Sequence, residues 1–503
     1  MPRLTRRELL AAAGLAAAGL TASCAAPKTE APHTAPKALT DLEKTLRGTV
    51  LRPGSPDYAQ LATPRNLRFA ATMPDAVVQC AGVEDVVATV IWARDTQTPF
   101  AIRGGGHNYA DASSSRGILI STRAMNAASI NGTTLKAQAG VRNADLAKLL
   151  PQGGNRLLLP GGNCPAVGVA GLTLGGGIGP NAPWAGLTAD RLRKVTMVTD
   201  DATVVTASDA DNPELFWGLR GGAGGNFGVL TDLEYEMVEV PVTRATTAEF
   251  TFHGRDTAVA AALAFQKMRA DAERIVTGNL YLGHAQGDRG GDIAGRVQAQ
   301  AIAGAADARA LFGPLMAVPG VRAEIVERPW WEVYGWYVTE PSPAYSFWDR
   351  SLYADDYLTE DILGQALDVV RRFPAGGGPD REAAMGIYGW VGGVVNDVAP
   401  DATAYVHRSA KILVEMSAGW ATPKDSVLPD NPIPPEIKDW EDELWSTLLP
   451  HTTGRSYQNF PDPGLEDWAS AYYGDNLIRL ERLKATWDPQ DVFTYTQGIP
   501  LPR

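Results

Sequence analysis

At 503 residues the chain has room for two or three domains and an ample core. Composition is that of an ordinary globular protein, with 45% hydrophobic and 20% charged residues. The net charge of −12 argues against nucleic acid and anionic membrane surfaces as partners, because both select for basic patches.

Met1-Pro2-Arg3-Leu4-Thr5-Arg6-Arg7 runs into an Ala/Leu/Gly stretch ending near Ala22. A basic start and a short apolar run read as a secretory leader, and Arg6-Arg7 ahead of Leu9-Leu10 resembles a twin-arginine signal. Transient use of the twin-arginine export machinery is therefore expected, with a secreted or periplasmic destination. Cys24 offers a lipid-anchored alternative. Residues 25–37 are Pro/Ala/Thr-rich and read as a linker.

A helix is predicted over 40–47, with Thr40 and Glu43 at capping-box spacing. Next come a strand at 74–80, a helix at 83–93 and a strand at 99–102. Hairpins are predicted around Asn131-Gly132 and Asp200-Asp201. Beyond about Val238 the runs alternate for longer, with helices expected at 257–270 and 359–373 and a glycine loop at 375–379. The stretch from Trp330 to Tyr353 is aromatic-dense, which suits stacking on a sugar or polycyclic substrate, although core packing is the commoner use of any one ring. Ile412 to Ser417 reads as a strand carrying Glu415 among apolar residues, a costly position unless the carboxylate is paired or used.

Two segments between Arg103 and Gly179 organise the chain. The first reads Arg103-Gly104-Gly105-Gly106-His107-Asn108-Tyr109. The second reads Gly161-Gly162-Asn163-Cys164-Pro165-Ala166-Val167-Gly168, then Gly171-Leu172-Thr173-Leu174-Gly175-Gly176-Gly177. Glycine lets backbone approach a ligand closely, and successive N–H groups in such loops suit a pyrophosphate. A His or Cys at such a loop can act as a nucleophile or tether. Taken singly, a glycine-rich loop is most often a turn and a lone Cys most often a small core residue.

Together these segments resemble the FAD-linked oxidases of berberine-bridge-enzyme type, in the vanillyl-alcohol-oxidase (PCMH-type) flavoprotein superfamily. Three further words extend the resemblance over nearly the whole chain after the linker. These are Asn212 to Val229 with Gly224 and Asn226, Ala404 to Arg408 with Tyr405, and Arg455 to Phe460 with Tyr457 and Asn459.

The resemblance implies an α+β fold: a two-part FAD-binding domain (38–238, with 451–503 returning to it) and a substrate domain (239–450) on an antiparallel sheet with flanking helices. It implies FAD tethered twice, through His107 to the 8α-methyl and Cys164 to C6 of the flavin. Arg103, Gly104, Gly105, Gly106, Asn108, Gly161, Val167, Gly168, Gly171, Gly175, Gly177, Gly224, Asn226, Val229 and Asn459 are the other expected cofactor contacts.

With Cys164 so used and Cys24 in the leader, no disulfide is expected; a Cys80–Cys164 bridge is the alternative. Neither paired-Cys zinc spacing nor His-Glu-x-x-His occurs, so no metal is expected.

One departure bears on chemistry. Many members end the Tyr-x-Asn-Tyr word with a catalytic Tyr, and this chain has Phe460 there. Candidate bases are therefore Tyr457, Glu415, Tyr109 and Tyr405.

The expected activity is removal of a hydride from an alcohol or sugar carbon of a small-molecule substrate, with O2 reduced to H2O2. The resemblance places Val167 on the oxygen side, where a small residue suits an oxidase. The alternative is a tailoring oxidase that forms C–C or C=C bonds on a polyketide or alkaloid-like substrate. A binding protein that has lost turnover is a third reading, which the presence of both His107 and Cys164 argues against.

Overall fold

The computed structural model describes residues 38–154, 156–284, 292–338, 344–374, 382–420 and 432–502. The leader, Cys24 and the linker, like the glycine loop at 375–379, lie outside the described residues.

The first sheet is built from β1 (Thr49–Leu51), β2 (Ala76–Gln79), β3 (Phe100–Arg103) and β4 (Ile118–Ser121), in the order β1-β2-β4-β3. Strand β4 runs parallel to both β2 and β3, and the helix Val83–Thr96 makes the crossover that parallel strands require. The predicted 40–47 helix is shorter, Leu39–Glu43, with Ala38 at its N-cap. Glu43 pairs with Arg52 at 2.8 Å and so supplies no cap.

The second sheet contains β5 (Ala128–Asn131), β6 (Thr134–Gln138), β8 (Leu192–Val198), β9 (Val204–Ser208) and β10 (Val229–Glu236), in the order β5-β6-β10-β8-β9. Both predicted hairpins are present, β5–β6 and β8–β9, the first turning at Gly132 with φ +59°. A short pair, β7 (Leu157–Leu158) with β11 (Val238–Glu239), flanks this sheet in sequence.

The third sheet is antiparallel and seven-stranded. Its strands are β12 (Arg244–His253), β13 (Val276–His284), β14 (Ile293–Ala301), β15 (Arg322–Pro329), β16 (Ser346–Ala354), β17 (Glu382–Tyr388) and β18 (Ile412–Trp420), in the order β15-β12-β14-β13-β17-β18-β16. Strand alternation gives it two different faces. Phe250, Leu280, Val297, Leu352, Ile387, Val414 and Met416 form one core with residues of the helices Arg255–Asp271, Glu360–Arg371 and Pro435–Leu448. Tyr281, Tyr353, Tyr388 and Leu413 project from the opposite face. They pack with Ile178, Leu187 and Tyr457, which fastens this face to the second glycine segment.

The aromatic-dense stretch divides differently from its substrate-facing reading. Trp330 and Tyr334, on the helix Trp330–Tyr337, are buried in the core beneath the second sheet. Trp348 joins the helix-covered core and donates its indole N–H to Asp462 at 2.8 Å. None of the aromatics from Trp330 to Tyr353 lines the main cavity described below. Their rings close hydrophobic faces that the helix and strand periods create.

Candidate active site

A cavity of about 370 Å³ opens between the glycine segments and the cleft face of the third sheet. One side carries Gly104, Gly105, Gly106, His107 and Asn108, then Cys164, Val167, Gly168 and Gly171, and Gly224 from the third glycine word. Tyr281 and Tyr388 line it from the third sheet, Trp390 from just beyond β17, and Tyr457, Asn459 and Phe460 from the C-terminal segment.

The glycines are needed where backbones meet. A Cβ on Gly105 would lie 2.2 Å from the Gly168 nitrogen, so the two segments touch main chain to main chain. Gly106 sits at φ +75°, in the left-handed region. Arg103 clamps this loop from behind: its guanidinium donates to the carbonyls of Ser113, Leu61 and Ala62 at 2.7–2.9 Å. Burial lowers the Arg103 pKa to about 10.

Several expected contacts lie behind the cavity wall. Val229 is fully buried in the core of the first sheet. Asn226 ties Gly222, Tyr495 and Ile499 together. Gly161, Gly175 and Gly177 make room for neighbours; a Cβ at Gly175 would strike the Asn459 side chain, and one at Gly177 the Thr188 hydroxyl. These residues shape the wall without reaching the cavity.

Cys80 and Cys164 are both free thiols, so the alternative bridge does not form. Burial pushes the Cys80 thiol up to about 12. Burial also raises Cys164, with Glu415 adding to the rise and the nearby Arg65 opposing it. Burial, reinforced by Arg65 and Arg142, lowers the His107 pKa to about 4. At neutral pH its imidazole is therefore uncharged and keeps a nucleophilic lone pair.

The four candidate bases separate by position. Tyr405 is fully buried, bonds the Tyr353 hydroxyl at 2.9 Å and does not line the cavity. It buttresses the second segment, since a Cβ on Gly176 would lie 2.5 Å from its ring. The Tyr457 oxygen accepts from the N–H groups of Gly177 and Ile178 and from the Asn459 amide, at 3.0–3.3 Å. Tyr109 lies parallel to Phe460, with ring centroids 4.9 Å apart. Glu415 is buried and absent from the cavity lining, and its Oε2 accepts from the Tyr388 hydroxyl.

Sequence reasoning missed Tyr388 and Asp349. Asp349 comes from β16, which pairs with β18 past the intervening β17, and Tyr388 from β17, joined to β18 through residues 389–411, so neither has a local signal. Burial, together with the Asp349 charge, holds the Glu415 pKa well above the ordinary carboxylate range, while the Tyr388 bond opposes the rise.

The residues present fit a flavin dinucleotide. His107 and Cys164 open into the same cavity, and the glycine segments leave close backbone approach. Gly171 has nothing within 4 Å of where a Cβ would be. Trp390 lines the cavity, and its indole N–H is buried without a partner.

Comparison with known proteins points the same way. Residues 74–208 match the FAD binding domain family, and residues 456–500 match the berberine and berberine-like family. The chain is 29% identical to an uncharacterized FAD-linked oxidoreductase, YgaK, of Bacillus subtilis, over 91% of this chain and 98% of that one. It is 26% identical to the xylooligosaccharide oxidase of Thermothelomyces thermophilus, over 93% of this chain and 95% of that one. In fold it is similar to the glucooligosaccharide oxidase of Acremonium strictum, a protein described with 6-S-cysteinyl, 8α-N1-histidyl FAD. The TM-score is 0.80 at 24% identity, covering 92% of this chain and 99% of that one.

Proposed function

The chain belongs to the FAD-linked oxidoreductases of berberine-bridge-enzyme type, and from that premise we propose that it is an oxidase acting on a CH–OH carbon of a small molecule, an oligosaccharide's anomeric carbon being the favoured case. The observation that carries this is the placing of His107 and Cys164 on a cavity that Tyr281 and Tyr388 line from the third sheet.

His107 and Cys164 would hold FAD covalently, with Gly104 to Gly106, Gly168, Gly171 and Gly224 admitting it to close backbone contact. When bound, FAD supplies the acceptor for a substrate hydride and returns the electrons to O2 as H2O2. Val167 leaves space on the oxygen side.

The chain's own work is to orient and deprotonate. The rings of Tyr109, Tyr281, Tyr388 and Phe460 give an apolar surface for stacking. Glu415 is the proton acceptor. Residues 38–238 with 451–503 would carry the cofactor and 239–450 the substrate wall. Export through the twin-arginine route would deliver the protein with cofactor loaded.

The walling of the cavity by rings, with Phe460 adding no hydroxyl, favours a second reading, a tailoring oxidase on a polycyclic aromatic substrate. The test is incubation of the FAD-loaded protein with gluco-, xylo- and chitooligosaccharides and with polycyclic aromatic alcohols, followed by H2O2 detection. Peroxide with a sugar is the expected result. Peroxide with aromatics alone would select the second reading, and none with either panel would overturn the oxidase assignment.

A further inference from the structure

Glu415 stands one layer behind the cavity. It is 6% exposed and absent from the lining, whereas Tyr388 is part of the lining. Glu415 lies opposite Gly386 across the β17–β18 ladder, and Tyr388 is opposite Leu413. Tyr388 and Glu415 are therefore diagonal neighbours on one face. Only a glycine at 386 permits their contact, because a Cβ there would lie 2.8 Å from Tyr388 Cε2. The ring thus lies over Gly386, and its hydroxyl donates to Glu415 Oε2.

On the other side of β18, Asp349 pairs with Ser417 and Ser351 pairs with Glu415, so Asp349 is the other diagonal neighbour on the same face. Asp349 is buried and accepts from the Ser417 hydroxyl at 2.6 Å. Glu415 Oε1 is buried without a partner. Two carboxyls on one dry sheet face cannot both ionise cheaply, so the pair retains a proton.

We propose that Tyr388, Glu415 and Asp349 form one proton-handling unit, in which Tyr388 meets the substrate hydroxyl, Glu415 receives the proton through Tyr388, and Asp349 sets when Glu415 is free to receive it. The unit rests on the oxidase reading for its substrate, though its own proton chemistry is measurable without one. As the substrate O–H breaks, its proton bonds to the Tyr388 oxygen while the Tyr388 proton bonds to Glu415 Oε2. FAD, when bound, would supply the acceptor for the carbon-bound hydrogen and its electron pair. The substrate is oxidised by two electrons, the flavin is reduced by two, and Glu415 ends protonated. Tyr388 is the catalytic residue; Glu415 and Asp349 act through it.

Glu415 is faced by Tyr388 from β17, by Asp349 and Ser351 from β16 and by Ser417 from its own strand. Tyr281 from β13, Tyr109 and Cys164 carry the remaining nearby titratable groups, and Arg65 acts on Asp349. Negative neighbours dominate this set. Glu415 is a free base only above its raised pKa, and kcat/KM falls as pH drops through it.

The experiment uses the FAD-loaded protein and the variants Tyr388→Phe, Glu415→Gln and Asp349→Asn. Anaerobic flavin bleaching is followed with xylobiose and cellobiose, and the protonated-carboxyl infrared band is titrated without substrate. Tyr388→Phe is expected to slow bleaching at least about 100-fold with flavin content unchanged. Asp349→Asn is expected to move the acid limb to lower pH, a shift that a merely structural role would not produce.

In the infrared, the high-pH carboxyl band is expected to vanish in Glu415→Gln, change frequency in Tyr388→Phe and titrate lower in Asp349→Asn. A band indifferent to Tyr388→Phe and Asp349→Asn would overturn the unit, as would bleaching within a few-fold of wild type in Tyr388→Phe. Bleaching of the wild type by neither sugar would count against an oligosaccharide substrate, and the infrared titration would still decide the unit.

Discussion

The two faces of the seven-stranded sheet are made by the same strands and do opposite things. The helix-covered face alternates Leu352, Ile387, Val414 and Met416 into a core whose members are almost entirely inaccessible. The cleft face places Asp349, Tyr388 and Glu415 one residue out of phase, where they too are buried and Glu415 keeps one carboxylate oxygen without a partner. Shape and burial fix the first face. The second keeps unspent hydrogen-bonding capacity, and that is where sheet structure gives way to chemistry.

The largest break in this comparison is a charge on the wrong face. Ile387→Asp would bury an unpaired carboxylate in the helix-covered core and is expected to cost more than about 4 kcal/mol, read as loss of soluble protein or of the thermal transition. Glu415→Gln, on a neighbouring strand of the cleft face, is expected to leave the melting temperature equal or higher. Below the raised pKa of Glu415 an amide replaces a carboxyl that holds its proton.

A subtler contrast uses Glu441, on the helix Pro435–Leu448. It is fully buried, neither carboxylate oxygen has a partner, and burial with the Asp349 charge raises its pKa well above the usual value. A carboxyl whose folded pKa exceeds its unfolded one contributes stability at low pH and loses it as pH rises toward the folded value. Glu441→Gln should therefore flatten the fall in melting temperature between acidic and alkaline buffers. A parallel fall in both proteins would contradict this. The smallest effect is expected of Phe460→Tyr. Its ring already stacks on Tyr109, so the added hydroxyl should change flavin bleaching by less than about tenfold if Tyr388 carries the proton.

Legibility in the sequence followed the range of the interaction. The glycine segments, both hairpins and the strand–helix–strand opening were readable because their signals are local. Glu415 was readable as a costly carboxylate in an apolar strand. Tyr388 and Asp349 were not, because only the pairing of β18 with β17 on one side and β16 on the other makes each a diagonal neighbour of Glu415. Tyr405, read as a candidate base, is a buttress under Gly176. In the aromatic stretch the commoner use, core packing, holds for Trp330, Tyr334 and Trp348, and register decides which face each ring meets.

The proposed hold of His107 and Cys164 on a flavin against the cleft face has a direct test. The direct measurement is acid precipitation of the purified protein, with the yellow colour followed into pellet or supernatant, for wild type, His107→Ala, Cys164→Ala and the double variant. Colour kept in the pellet for wild type and each single variant, and released only by the double, is the predicted result. Colour released from the wild type would contradict it, leaving His107 as a loop residue and Cys164 as a buried thiol.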